Sequence, residues 1–122
     1  MSLTVLVADD EEDILEIIQD RLEACGFNVI RASTGTEALR KIKTQKLDGV
    51  FLDVKMPEMT GIEVLEEVRK RDKRLPIIIV TSSTSREAAI DSIAKGANEF
   101  LLKPFDWEEL KGKIEKVFRI SL

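Results

Sequence analysis

The sequence predicts an α/β fold, a doubly wound parallel sheet of five strand–helix units in a single domain spanning residues 1–122. Apolar runs of strand length recur at intervals of roughly 20 to 25 residues, the rhythm of βαβ units. Each interval holds apolar residues at helical period behind a capping signal. The runs are apolar without alternation, so both faces of the sheet call for helices, and right-handed crossovers supply them on both sides. Periodicity leaves the strand order open.

Strand one is expected near Thr4 to Asp9, where the apolar run Val5 to Ala8 meets Asp9 and Asp10. Helix one takes its core face from Ile14, Ile18, Leu22 and Cys25, and Gly26 supplies a left-handed stop. Strand two covers Asn28 to Ala32. Helix two opens with Thr34 and Glu37 at capping-box spacing and buries Ala38, Leu39 and Ile42. Strand three runs from Gly49 to Asp53, and helix three repeats the box with Thr60 and Glu63 before Ile62, Leu65 and Val68. Strand four is expected over Pro76 to Thr81. Helix four shows the box again in Thr84 and Glu87, with Ala89, Ile90 and Ile93 as its inner stripe and Gly96 as terminator. Strand five covers Glu99 to Leu102. Helix five starts at Asp106, with Glu109 three residues on, and presents Leu110, Ile114, Val117 and Phe118.

Composition narrows the function. A domain of this length buries roughly two thirds of its unfolded surface, and 43% apolar with 34% charged residues reads as an ordered globular domain. A net charge of -4 argues against direct nucleic-acid binding, which needs clustered cations. The basic run Arg69 to Arg74 reads as a solvated helix end. No aliphatic run is long enough to cross a bilayer, and the acidic stretch Asp9 to Asp13 leaves no room for a secretory signal, so the expected location is the cytoplasm, with no membrane partner. The single Cys25 reads as an inert thiol. No histidine is present, which removes imidazole metal ligands and bases from the chain.

The chemistry gathers at four strand ends: Asp9 with Asp10, then Asp53, Thr81 and Lys103. Carboxyl ends of parallel strands share one edge, where open α/β sheets bind ligands. Two carboxylates about 5 Å apart at an effective dielectric near 20 repel by roughly 3 kcal/mol, and a third acid worsens this. A divalent cation relieves it. All-oxygen ligands select magnesium, with manganese as a substitute, over zinc or copper. A carboxylate facing a metal-held phosphoryl group can act as a nucleophile. Asp53 stands alone at a central strand end and suits that part, while the paired Asp9 and Asp10 suit the metal. The Lys103 ammonium and the Thr81 hydroxyl offer the charge and the donor that a transferring phosphoryl group needs. Taken singly, each residue has an ordinary structural role. Their joint placement makes the site.

At these residues the chain resembles the receiver domain of bacterial two-component response regulators. The matching pieces are V-L-V-A-D-D-E at Val5 to Glu11, L-D-V-K-M-P-E-M-T-G at Leu52 to Gly61, P-I-I-I-V-T-S at Pro76 to Ser82 and K-P-F at Lys103 to Phe105. The resemblance implies a flavodoxin-like three-layer sandwich with strand order 2-1-3-4-5. It implies that Asp53 accepts a phosphoryl group from a sensor histidine kinase or phosphotransfer protein. Asp9, Asp10, Asp53 and the backbone carbonyl of Lys55 would hold magnesium, Thr81 and Lys103 would grip the phosphate, and the Lys103–Pro104 bond would be cis. Phosphorylation would draw Thr81 inward, turn Phe100 in behind it and change the surface of helix four, strand five and helix five. A downstream protein, an output domain or a phosphorylation-dependent dimer would read that change.

Two departures from the family's commonest pattern follow. Phe100 lacks a tyrosine hydroxyl, so its outward rotamer gains no hydrogen bond at the tip. Lys55 places a cation two residues after the nucleophile, where it is expected to pair with the phosphoryl group and slow hydrolysis. Trp107 reads as an anchor for helix five. The chain is expected to be a signalling domain and not a turnover enzyme. A phosphatase similar to the haloacid dehalogenases would need a second Asp where Lys55 stands, and no glycine-rich nucleotide loop follows strand one. A receiver that only binds partners would not need the intact set of Asp9, Asp10, Asp53, Thr81 and Lys103. The domain is expected either to stand alone or to belong to a longer regulator or hybrid kinase.

Overall fold

The computed structural model describes residues 2–122, so that Met1 of the expected domain lies outside the described residues. Strands β1 (Thr4–Ala8), β2 (Asn28–Ala32), β3 (Gly49–Leu52), β4 (Ile77–Ser82) and β5 (Glu99–Lys103) alternate with helices α1 (Glu12–Ala24), α2 (Gly35–Thr44), α3 (Gly61–Arg69), α4 (Arg86–Ala94) and α5 (Trp107–Phe118). The strands form one parallel sheet in the order β2-β1-β3-β4-β5. This is the flavodoxin-like doubly wound arrangement. In the register, Ala8 lies opposite both Ala32 and Leu52, Leu52 opposite Ile79, and Thr81 opposite Leu102. The carboxyl ends of the strands therefore stand side by side.

Strand residues divide between two apolar layers. Leu6, Val50, Leu52, Ile77 and Ile79 face α2, α3 and α4, while Val5, Val7, Phe51, Ile78 and Val80 face α1 and α5. Each such fully buried aliphatic or aromatic side chain contributes about 1.5 to 3 kcal/mol.

The helix starts mostly follow local chemistry. Thr60 and Glu63 complete a reciprocal capping box at 3.1 and 3.0 Å. Thr34 accepts from the Glu37 N–H, whereas the Glu37 carboxylate reaches the Ser33 N–H instead of Thr34's own. Asp106 caps α5 through the Glu109 N–H. Gly26 and Gly96 end α1 and α4 at φ 94° and 109°, a backbone region that penalises a Cβ. On α1 the buried residues are Leu15, Ile18 and Leu22, with Ile14 half-buried and Cys25 serving as the half-buried C-cap.

Helix α4 departs from expectation. Thr84 does not cap it: residues Ser83–Ser85 form a 3₁₀ turn, the helix starts at Arg86, and Ser85 at the N-cap makes no side-chain cap bond. The inner stripe is Ala89 and Ser92, whereas Ile90 and Ile93 are 46% and 43% exposed. Apolar pattern misses this face because Ser92 can be buried; its hydroxyl donates to the Ala89 carbonyl at 2.5 Å. Small side chains on that face leave Ile90 and Ile93, one position further round, pointing outward.

The basic run also differs from a plainly solvated helix end. Arg69 donates to the carbonyls of Gly96 and Asp72 and to Asn98 Oδ1. At the strand ends, β4 starts at Ile77, one residue after the proline, which has no N–H for a ladder. β1 and β3 stop one residue short of Asp9 and Asp53. Among the described residues, no helix is long and apolar enough to cross a membrane.

Candidate functional site

The first two carboxylates are positioned by main chain. The Asp9 N–H donates to the Ala32 carbonyl at 3.1 Å and the Asp53 N–H to the Ala8 carbonyl at 2.9 Å, so both acids step off adjacent strands at one edge. Close approach of α3 fixes the loop beyond Asp53. The Gly61 N–H donates to the Val54 carbonyl at 2.8 Å, and a Cβ at Gly61 would come within 2.0 Å of the Asp53 carbonyl oxygen, so only glycine fits there.

Side chains from β4 and β5 complete the cluster. The buried Thr81 hydroxyl donates to Asp53 Oδ1 at 2.6 Å. The Lys103 ammonium lies 2.5 Å from Asp9 Oδ2, 3.4 Å from Asp53 Oδ2 and 3.5 Å from Glu11 Oε1. Asp9 Oδ1 also accepts from the Glu11 N–H at 2.9 Å. The Lys103–Pro104 peptide bond is cis, as expected.

Asp9 and Asp53 are buried, whereas Asp10 and Glu11 are exposed at the mouth. One carboxylate oxygen from each of these four residues falls within 4.8 Å of the others. Glu11 was not among the candidates; its signal is the unbroken acidic run that continues from Asp10. Burial, reinforced by the charge of Asp53, pushes the Asp9 carboxyl up to about 6, although the Lys103 ammonium and the Glu11 N–H oppose it. Burial alone would lower Lys103; the hydrogen bond to Asp9 and the negative charges of Asp53, Asp9 and Glu11 outweigh it and raise the ammonium above its usual range. The crowding of negative charge that a divalent cation relieves is seen in the four carboxylates themselves, within 4.8 Å of one another. The donor set is all oxygen, with two exposed carboxylates leaving an open side, and so fits magnesium, which keeps waters and shares itself with phosphoryl oxygens.

Thus Asp9, Asp10, Asp53, Thr81 and Lys103 come together. Two further candidates stand apart from that cluster. The exposed Lys55 ammonium donates to Thr84 Oγ1 at 3.2 Å, and Thr84 in turn shares a 2.6 Å hydrogen bond with Ser82 Oγ. Phe100 is half-buried against the α4 side of the sheet, with the Lys113 ammonium 5.9 Å from its ring centroid. Trp107 opens α5, half-buried, with the Arg21 guanidinium 5.5 Å over its ring.

Comparison with known proteins agrees with this geometry. The model of the response regulator receiver domain matches residues 5–115. The alkaline phosphatase synthesis transcriptional regulatory protein PhoP of Bacillus subtilis is 36% identical over 99% of this chain and 50% of its own length. The transcriptional regulatory protein ZraR of Escherichia coli is 36% identical over 94% of this chain and 26% of its own. The chain thus spans half or less of these curated relatives. Among solved structures, the response regulator TrrA of Thermotoga maritima, in complex with Mg(2+)-BeF, superposes with a TM-score of 0.85 at 37% identity, covering 96% of this chain and 99% of that one. A CheY-like receiver domain protein of Methanospirillum hungatei does so with a TM-score of 0.90 at 31% identity, covering 98% and 95%.

Proposed function

The chain belongs to the response regulator receiver family, and on that premise we propose that it is a phosphoacceptor switch in which Asp53 takes a phosphoryl group from the phosphohistidine of a sensor kinase or phosphotransfer protein. An Asp53 oxygen attacks phosphorus, the P–N bond breaks, and the imidazole leaves with that electron pair. The observation that carries this reading is the convergence of a buried hydroxyl and a half-buried ammonium on one carboxylate, Thr81 at 2.6 Å and Lys103 at 3.4 Å. Those groups stabilise charge on the phosphoryl oxygens where it develops.

Asp9, Asp10, Asp53 and the Lys55 carbonyl are the ligands for magnesium, or for manganese in its place, with Glu11 at the mouth. The metal, when bound, supplies positive charge to the phosphoryl group and relieves the repulsion among the acids. The Lys55 side chain pairs with the phosphoryl group and slows its hydrolysis by crowding the attacking water. Thr81 follows the phosphoryl oxygens inward, Phe100 turns in behind it, and the surface of α4, β5 and α5 changes for a downstream protein, an output domain or a second copy. No outside substrate is turned over, because Lys55 occupies the place a general acid would need. The domain covers residues 1–122 and works in the cytoplasm without itself touching nucleic acid or membrane. Longer relatives are transcriptional regulators, so any DNA contact belongs to segments beyond this domain.

Intact mass after incubation with acetyl phosphate tests the proposal. The expected result is a gain of one phosphoryl group with magnesium, none with EDTA and none in Asp53→Asn. Unchanged labelling of Asp53→Asn would sink it. Lys55→Ala should lose the phosphoryl group faster than wild type, and slower loss would contradict the assigned role of that side chain.

A further inference from the structure

Helix α4 is held unequally at its two ends. At its C-terminal end the Arg69 guanidinium donates to the Gly96 carbonyl at 2.9 Å and to Asn98 Oδ1 at 3.2 Å, and its third bond closes on the Asp72 carbonyl of its own side at 3.0 Å. Asn98 Oδ1 also accepts from the Ile77 N–H at 2.8 Å, which joins that end to the start of β4. At the N-terminal end stands the 3₁₀ turn Ser83–Ser85, with no side-chain cap on Ser85. The contact that reaches this turn from the phosphorylation loop is the Lys55 ammonium on Thr84 Oγ1, at 3.2 Å and in solvent. Between the two ends, Ala89 and Ser92 give the helix a shallow inner face, while Ile90 and Ile93 face outward.

We propose that Lys55 is a latch on the free end of α4 and that phosphorylation of Asp53 opens it. The inference rests on the phosphoacceptor reading. Lys55 leaves the sheet two residues after Asp53, so its ammonium has two places to go: the Thr84 hydroxyl, or the oxygens of a group on Asp53. A phosphoryl group brings between one and two negative charges and three strong acceptors, whereas an exposed neutral hydroxyl is a weak one. The ammonium therefore transfers from Thr84 to the phosphoryl group. Its departure removes the outer tether of the 3₁₀ turn at the moment that Thr81, three residues before Thr84, is drawn towards the same oxygens. α4 then swings about the Arg69–Gly96–Asn98 anchor and carries Ile90 and Ile93 with it. The coupling is limited to the difference in contacts between the two states.

Amide hydrogen exchange followed by mass spectrometry tests this on the whole chain, with magnesium and beryllofluoride as the phosphoryl mimic. In the resting protein, Lys55→Met should speed exchange over residues 83–94 by roughly threefold to tenfold, the loss of one modest hydrogen bond. Thr84→Val, which loses the Ser82 bond as well, should do so at least as much, and both should leave residues 95–98 unchanged. In the wild type the mimic should speed 83–94 comparably, and in Lys55→Met it should add little. Arg69→Met should instead loosen residues 95–98 in both states. Exchange over 83–94 that is unaltered in resting Lys55→Met overturns the latch. So does a wild type that binds the mimic, as seen by native mass, without faster exchange there. Failure to bind the mimic at all strikes the phosphoacceptor reading and the opening step together, while the resting comparison still decides whether Lys55 tethers the turn.

Discussion

Helices α3 and α4 pack on the same face of the sheet and are built to opposite purposes. α3 drives Val64, Leu65 and Val68 into the core and starts from a complete capping box. α4 offers the sheet only Ala89 and Ser92 as buried side chains and starts from an uncapped turn. The two sequences open alike, with Thr60 and Glu63 in one and Thr84 and Glu87 in the other. What separates them is the partner of the threonine: Thr60 serves its own helix, whereas Thr84 is engaged by Ser82 and Lys55. A threonine engaged by Ser82 and by Lys55 of the loop after Asp53 does not cap its own helix. The element beside the site that must stay fixed is therefore the one whose hydroxyl is used locally.

The contrast is broken most severely through the core. Leu65→Ala, at a fully buried position, should cost about 2 to 5 kcal/mol of unfolding free energy. Ile93→Ala, at an exposed one, should stay within about 0.5 kcal/mol. Urea unfolding of the two variants measures the difference directly; equal losses would mean that α4 is packed as deeply as α3. A milder comparison uses the caps. Thr60→Ala should cost about 1 kcal/mol and Thr84→Ala no more than a few tenths, because only the first removes an acceptor from a helix N-terminus. A large loss in Thr84→Ala would mean that the hydroxyl supports the fold and not only the tether.

The same pair of helices shows where sequence reading stops. Caps and stops were legible because they join residues three or four apart: Thr34 to Glu37, Thr60 to Glu63, Asp106 to Glu109. The site was legible for a different reason, since the βαβ rhythm places every strand's carboxyl end on one edge and so gathers Asp9, Asp53, Thr81 and Lys103. Contacts made by long side chains across the fold left no local trace. Arg69 reaches Gly96 and Lys55 reaches Thr84, 27 and 29 residues away, and either lysine or arginine could as well have been solvated. The inward face of α4 was misread because a satisfied serine took a place that an apolar pattern assigns to isoleucine.

β5, on which α4 leans, is fastened from the other side by charge. The Glu99 side chain, 12% exposed, takes the Lys113 and Lys116 ammoniums at 2.8 and 2.7 Å. Burial would raise its carboxyl, but those two hydrogen bonds prevail and hold it below the ordinary 4.5. A carboxyl depressed in the folded state contributes stability above its unfolded value, and that contribution is lost as pH falls through the folded one. With Lys116 71% exposed, solvent screening keeps the effect to about 1 kcal/mol or less. Glu99→Gln should therefore be less stable than wild type near neutrality by that amount, and the gap should close below pH 4.5. Urea midpoints of the pair across that range give the sign; a gap that widens on acidification would show that the two lysines are not what holds Glu99.

The smallest effect concerns the loop that enters α3, the rigid partner in the comparison. Glu58 sits at φ 73°, where a Cβ crowds the following carbonyl and glycine does not. Its neighbours hold it there: the Pro57 carbonyl accepts from the Met59 N–H at 2.8 Å within the turn and from the Gly35 N–H at 3.1 Å, so the turn is pinned to the start of α2. Relief of the left-handed penalty favours Glu58→Gly by about 1 kcal/mol, and the greater freedom of glycine in the unfolded chain takes back part of it. A net gain of about 0.5 kcal/mol in urea unfolding is expected, with α4 exchange unaltered. A loss of stability would show that the carboxylate of Glu58 supports the turn, and faster exchange in α4 would show that the loop entering α3 also governs the helix beside it.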